Sequence, residues 1–585
     1  MHVSGSPAHI SDDPIFLARS LGARGSRSPI GHDDPAGDPG DAARAVLAAV
    51  PAWWETMASA VGLKGRWLEV EAAIEGLLPA PDTPEPADLA GLTGADVGAR
   101  YVAALSSAVR SRHGRHYTPD ALSTHLWSMA RLGLGQRRPG QPLPGLVRDP
   151  ACGGGALLLP PLRQHLSALA EADPRVTLAG LPRLIEGVDT DPAAVWITNV
   201  ILAAELLPFL ARVPKARRRP LPMLARVGDG LAAEPGSARV VVMNPPYGRV
   251  RLAPDERDRW SRYLYGHANL YSLFLAAGLE TLDDGGVLAA LVPTSFLAGR
   301  YFASLRGEMA QHAPLRDVTF VVQRDGVFAG VLQETCLAVF TRKRARRTTI
   351  ASANGRVADV AKVASPRGSR PWVLPRRADD AHIAAAAATM PLTLGLAGWQ
   401  VSTGPLVWNR RRDDLGPARQ DGAVPVVWAA DLDGGALHQD PERDGLRWMT
   451  LRPSDMGVLV LSRPAVLVQR TTAPEQQRRV VCVELTSADL EAWGGRVVVE
   501  NHVNVLTPTE PGPLPPFLSR ATLTALLSTR TIDRLTRCIS GSVALSAYEL
   551  ESLPLPEAET LAAWEHLRGD DLERAVAASY RPVPR

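Results

Sequence analysis

Between about residues 114 and 345, short β-branched runs alternate with longer runs of helical periodicity. The β-type runs are "GLVRD", "RLIEGVD", "RVVVMN", "GVLAALVP", "DVTFVV" and "ETCLAVFTR". Between them lie "ALLLPPLRQHLSALAEA", "PAAVWITNVILAAELL" and "NLYSLFLAAGLETL". Apolar residues three and four apart mark helices, and compact β-branched runs mark buried strands. Strands that alternate with helices are joined by parallel crossovers, so the pattern predicts a doubly wound α/β sheet. The last two β-type runs leave little room for a helix between them. An antiparallel strand at the end of the sheet would suit them.

The flanking regions read differently. Residues 1–40 are rich in Gly, Pro, Ser and Asp, a composition that predicts poor order. Residues 41–113 read as a helical N-terminal region, with a Pro-rich loop, "LPAPDTPEPADLAG", inside it. Residues 346–375 read as a linker. Residues 376–585, with short strands and many Pro and Arg, read as a separate α+β domain. The formal net charge is only +3, so a nucleic-acid partner needs locally clustered basic residues. Such clusters occur in "KARRRP" (215–220), "TRKRARR" (341–347), "WNRRRDD" (408–414) and "EQQRRVV" (475–481). Each alone is usually a solvated face.

Cys152, Cys336, Cys482 and Cys538 are far apart, and no CxxC or Cys/His cluster points to a metal or a disulfide framework. That fits a reducing compartment. The first residues lack a cationic start followed by an apolar core, so no secretory signal is read there. The longest small-apolar stretch, "AHIAAAAATMPLTLGLAGW", is broken by Pro391 and Gly395 and reads as a helix and a turn rather than a membrane span. The expectation is a cytoplasmic protein that needs neither membrane nor metal.

Four stretches carry chemistry. In "LVRDPACGGGALLLPPL" a strand ends at Asp149 and a small-residue loop, Ala151 to Gly155, opens onto a helix. Open α/β sheets bind ligands outside the carboxyl ends of their strands, and glycines there let backbone approach a ligand. The loop is not GxGxxG and no Lys-Ser/Thr follows, so neither a dinucleotide nor a P-loop phosphate is favoured. A tight structural turn is the plainer alternative. In "LIEGVDTDPAAVWITNVIL", Asp189 ends the next strand, where a carboxylate can accept from ribose hydroxyls. Asp191 with Pro192 reads as a helix N-cap. In "ARVGDGLAAE", Asp229 sits where a strand would end, and a turn explains it equally well. In "VVVMNPPYGRV" a buried-looking strand stops at Asn244, Pro245, Pro246 and Tyr247. Prolines cannot donate to a ladder, and they hold backbone carbonyls in a fixed direction.

In this order the stretches resemble the S-adenosylmethionine-dependent amino-methyltransferases, most of all the gamma class of DNA adenine-N6 methyltransferases of restriction–modification systems. "DPACGGG" is similar to their cofactor loop and "NPPY" to their catalytic motif. "GRHYTPDALSTHLWSMA" resembles the motif that precedes the cofactor loop in this permuted class, and "VFAGVLQETCLAVFTRK" resembles their last sheet hairpin. Together these matches span about 114–345. The resemblance implies a Rossmann-like methyltransferase domain there. It implies that Thr118, Pro119, Asp149 and the loop Ala151, Cys152, Gly153 to Gly155 hold the methionine end of S-adenosyl-L-methionine. Asp189 would bind the ribose and Asp229 the adenine amine of the cofactor. Phe328 matches an aromatic that stacks on a flipped target base.

The same resemblance accounts for the two prolines. An adenine amine is a poor nucleophile because its lone pair is delocalised into the ring. With both N–H bonds aimed at acceptors, the Asn244 side-chain oxygen and the Pro245 carbonyl, the lone pair can face a methyl donor. Tyr247 would stack on a base extruded from double-stranded DNA. Parts of 376–585, among them "VSTGPLVWNRRRDD" and "VLVQRTTAPEQQRRVV", resemble the target-recognition part of some of these enzymes, which makes Arg410, Arg470 and Arg479 candidates for DNA contact. A separate cognate restriction endonuclease is the partner such systems imply. Two alternatives stay open: a methyltransferase acting on RNA or protein glutamine, and a modification subunit that needs a specificity partner.

Overall fold

The structure is a computed structural model. It describes residues 40–81, 85–106, 117–138, 140–232, 234–322, 334–433, 435–438, 445–472, 476–509, 516–541 and 544–581. The expectation of poor order for residues 1–40 lies, but for Gly40, outside them. The chain divides into two compact units. One is built from residues 29–297 and 301–372, the other from 373–585 with 298–300.

The first unit holds a nine-stranded sheet. Its strands are β1 Val147–Asp149, β2 Ile185–Asp189, β3 Ala225–Val227, β4 Ala238–Met243, β5 Leu282–Pro293, β6 Leu315–Val321, β7 Thr335–Thr341, β8 Arg347–Asn354 and β9 Arg356–Ala364. The spatial order is β9-β8-β6-β7-β5-β4-β1-β2-β3. The run from β5 through β4, β1 and β2 to β3 is parallel. Val240, Val241 and Val242 of β4 are all buried, as a strand covered on both faces requires. The α/β class expected from the alternation is the class observed.

Two expectations need correction. The antiparallel strand β7 is not at the end of the sheet, for it lies between β5 and β6 and pairs with both. The linker expected at 346–375 is largely a hairpin. β8 joins β6 in parallel, and β9 folds back antiparallel on β8, which makes β9 the edge. Its outer residues are mostly exposed, so its composition resembled a loop.

The described part of the helical region expected at 41–113 is helical and packs within this same unit. Helices α1 Asp41–Ala60 and α2 Gly94–Ala104 share one core with α3 Asp120–Leu134, α4 Leu159–Ala168, α5 Pro192–Arg212 and the sheet. α2 starts at a reciprocal cap, with Asp96 N–H donating to Thr93 Oγ1 and Thr93 N–H to the Asp96 carboxylate. α5 is long and apolar enough to cross a membrane by composition, yet 83% of its apolar window is buried inside this core. α6 Leu270–Thr281 completes the set that positions the site.

The second unit is α+β, as expected. Strands Trp399–Thr403, Val503–Pro508, Ala465–Gln469 and Cys482–Leu485 form an antiparallel sheet in that order. A second sheet of five short strands is centred on Val424–Val427 and Val497–Val499. Helices Arg520–Leu527, Arg530–Ile539 and Gly569–Ser579 add to its largest core.

Candidate active site

The parallel register brings the carboxyl ends of β1, β2, β3 and β4 to one edge. Asp149 pairs with Gly187, Asp189 with Val227, and Arg148 with Val241. Asp149, Asp189, Asp229 and Asn244 therefore leave the sheet on the same side.

The loop after β1 is built for close approach. Gly153 and Gly155 take positive φ values of 50° and 77°, which other residues adopt only with strain. Cys152 N–H donates to Val188 O, and Thr198 Oγ1 donates to Gly153 O at 2.7 Å. The Cys152 thiol is buried beneath the loop beside Gly187, and burial pushes it well above the usual thiol range. Its contribution to a ligand site is therefore through backbone. A Cβ on Gly153 would meet nothing within 4 Å, so this part of the loop faces open space.

Two neighbours fix the loop from outside, and sequence reasoning missed both. A Cβ on Gly98, in α2, would lie 2.5 Å from Gly154 O, so helix and loop touch backbone to backbone. A Cβ on Gly230, in the turn after β3, would lie 1.8 Å from Pro150 O. Only a glycine at each of these positions allows the observed approach. The N-terminal helices thus form the floor of the loop. Tyr101 of α2 also donates its hydroxyl to Asp191 Oδ2 at 3.1 Å, across 90 residues of sequence.

The carboxylates behave as a set. Asp189 accepts from Gly153 N–H on one oxygen and from Asp191 N–H on the other, both at 2.9 Å. Asp191 caps α5 through Ala193 N–H, as its place before Pro192 predicts. Asp229 is exposed and accepts from Leu231 N–H at 2.9 Å.

Asp149 is buried and accepts from Ala151 N–H. Burial pushes its carboxyl up to about 8. The Ala151 hydrogen bond opposes this and the nearby Asp189 charge adds to it. The folded protein then holds a proton that the unfolded chain releases near pH 4. Stability from this group is full below about pH 4 and is lost as pH rises to about 8. Thermal melts between pH 5 and 8.5 should show a decline in the wild type that Asp149→Asn lacks. Equal declines would place Asp149 in contact with water or a cation.

At the end of β4, the Asn244 side chain is held at both ends. Its Nδ2 donates to Thr118 Oγ1 at 3.0 Å, and its Oδ1 accepts from Tyr247 Oη at 3.1 Å. The Tyr247 hydroxyl also lies 3.3 Å from Leu291 O, and burial raises it far above the usual phenol range. Its ring meets Tyr271 edge to face at 6.0 Å. Tyr271 is itself stacked on Phe302 and bonded to Ser295. Pro245 is buried and Pro246 half-buried. Thr118, expected at the cofactor, is buried and reaches Asn244 as well, while Pro119 precedes α3 as its N-cap residue.

Not every expected contact is gathered here. Phe328 lies outside the described residues. In the second unit Arg410 is exposed, but Arg470 and Arg479 are 3% and 0% exposed. Arg470 donates to Asn501 O, and Arg479 donates to Thr472 Oγ1 and Ser540 Oγ. Burial takes both guanidinium groups away from any DNA surface in this structure and gives them a structural role. Arg479 looked like a surface cation because two of its partners, Asp533 and Ser540, lie over 50 residues away.

Residues 233–328 match the family of Eco57I restriction-modification methylases. The chain is 25% identical over 343 residues to Type II methyltransferase M.PstI of Providencia stuartii, with 55% of this chain and 65% of that protein covered. It is 22% identical over 335 residues to Type II methyltransferase M.BsuBI of Bacillus subtilis, with the same shares. The matched region is thus under two thirds of either relative's length. Among solved structures it is similar to the Type IIL restriction-modification enzyme MmeI in complex with DNA. There the identity is 12%, the TM-score 0.52, and the cover 91% of this chain and 87% of the other, a likeness of fold.

Proposed function

We propose that this relative of the restriction–modification methyltransferases transfers a methyl group from S-adenosyl-L-methionine to adenine N6 in duplex DNA. The observation that carries the reading is Asn244, fixed between Thr118 and Tyr247 at the strand edge that also holds the glycine loop. The cofactor fits the residues present. The loop faces open space at Gly153, the Asp189 carboxylate beside it suits ribose hydroxyls, and Asp149 is a buried carboxyl that a cationic methionine end would draw into its ionised form. When bound, S-adenosyl-L-methionine supplies an electrophilic methyl group on its sulfonium.

The chain's own work is positioning. Thr118 and Tyr247 hold the Asn244 amide, whose Oδ1 accepts one N–H of the target amine in this reading. The Pro245 carbonyl accepts the other, and Pro246 keeps that carbonyl from turning. Tyr247, its hydroxyl tied inward, offers a ring face on which an extruded base stacks. Asn at position 244 favours adenine over cytosine N4. The second unit supplies target recognition in this reading, with Arg410 as an exposed candidate. The reading also implies a cognate endonuclease that spares the methylated site.

The test is incubation with labelled cofactor and mixed-sequence duplex DNA, then mapping of the modified base. Label on adenine N6 at one sequence is the expected result. Label on RNA or protein, or activity only with an added specificity subunit, would overturn it. The cofactor assignment has its own check. Asp189→Ala should weaken S-adenosyl-L-methionine binding by about 1.5–3 kcal/mol, the scale of lost charge-assisted hydrogen bonds. A calorimetric affinity equal to wild type would remove Asp189 from the site.

A further inference from the structure

At the opposite edge of the nine-stranded sheet lies a cleft of about 410 Å³. β7 runs antiparallel to β5, so Thr341 sits beside Val287 while Thr335 sits beside Pro293. Val287 is four residues before Leu291, the residue that meets Tyr247, which is about 13 Å of strand. The cleft is lined from that level outward, away from Asn244.

Its lining is cationic and comes from four separate segments. Arg137 follows α3, Arg316 lies on β6, Lys343, Arg344 and Arg346 lie in the β7–β8 turn, and Lys362 lies on β9. With Arg347, seven cations face a single carboxylate, Asp317, in a chain whose whole net charge is +3. That carboxylate is already paired with Arg316. Arg137, Arg344 and Arg346 are exposed and make no ion pair among the described residues. Lys343 Nζ donates to Leu134 O at 3.0 Å, which offsets the negative end of α3 in the cleft wall.

A solvated basic run would come from one segment and would carry acids of its own. Here distant segments converge, and Asp317 is the one acid in the lining. Long exposed side chains from several segments suit a repeating polyanion better than a small phosphate ester.

We propose that this cleft is a second, sequence-independent DNA site that grips the sugar–phosphate backbone away from the base being modified. The proposal rests on the reading of duplex DNA as substrate. Its test is a salt titration of full-length wild type and of a triple variant, Arg137→Gln, Arg344→Gln and Arg346→Gln, on a long duplex without the target site. About 0.9 of log–log slope is lost per phosphate contact, so the triple variant should lose about 2–3 of slope. Its rate of methyl transfer at saturating target DNA and low salt, and its cofactor affinity, should match wild type.

The corresponding Arg→Lys triple should keep the slope, because phosphate contacts read charge. A Gln triple with wild-type slope overturns the cleft as a DNA site and leaves the substrate reading intact. So does a Lys triple that loses slope as well, since charge would then not be the cause. A wild type that binds no duplex at any salt concentration overturns the substrate reading and this site together.

Discussion

Asn244→Ala is expected to lower methyl transfer by about two orders of magnitude or more, with S-adenosyl-L-methionine affinity changed by only about a few-fold. The side chain it removes sits at the end of β4, where hydrogen bonds with Thr118 and Tyr247 hold it. Loss of the amide oxygen leaves one N–H of the target amine without an acceptor, and the lone pair stays in the ring. The split between rate and cofactor affinity is the informative part. Single-turnover rates at saturating cofactor measure the first, and calorimetry measures the second. Unchanged turnover would mean that the end of β4 does not meet the reacting amine. Parallel losses of rate and cofactor affinity would mean that Asn244 holds the loop together instead.

Gly230→Ala is the second large effect. An added methyl would lie 1.8 Å from Pro150 O and 3.0 Å from Phe274 Cε1, so backbone has to move. Pro150 is the first residue of the loop that carries Ala151 to Gly155, and it cannot give way without shifting Gly153 from Asp189. We expect cofactor affinity to fall by about 2–3 kcal/mol and the melting temperature to drop as well, the usual result of overpacking against fixed atoms. A variant that melts early yet binds cofactor as wild type does would separate this turn from the binding site.

These two residues also mark how far sequence alone could go. Asn244 was legible because a run of buried β-branched residues ends abruptly in Asn-Pro-Pro-Tyr, a local signal. The cores of β1, β2, β4, β5, β6 and β7 were legible for the same reason. Gly230 was passed over beside Asp229 because its constraint is a carbonyl 80 residues earlier. Thr118 is 126 residues from Asn244, and nothing local marks their bond. β3 was inferred only from the place of Asp229 and not from its own run, because it is three residues long and two of them are exposed. The β8–β9 hairpin was missed because its outer strand faces water, where Arg, Asp and Lys give it the composition of a linker. Arg470 and Arg479 were misread for the converse reason, since a charge reads as surface unless its buried partners can be seen.

The backbone contact between α2 and the glycine loop also has a consequence for the order of synthesis. Residues near Gly98 leave the ribosome well before Gly154 and Asp191, the groups against which they settle. At about 5–20 residues per second, the 90 residues from Tyr101 to Asp191 take roughly 5–20 s to appear. Until that interval ends, the apolar face of α2 has no partner from α5. The core around the loop therefore closes late, when α5 emerges and packs over segments made before it.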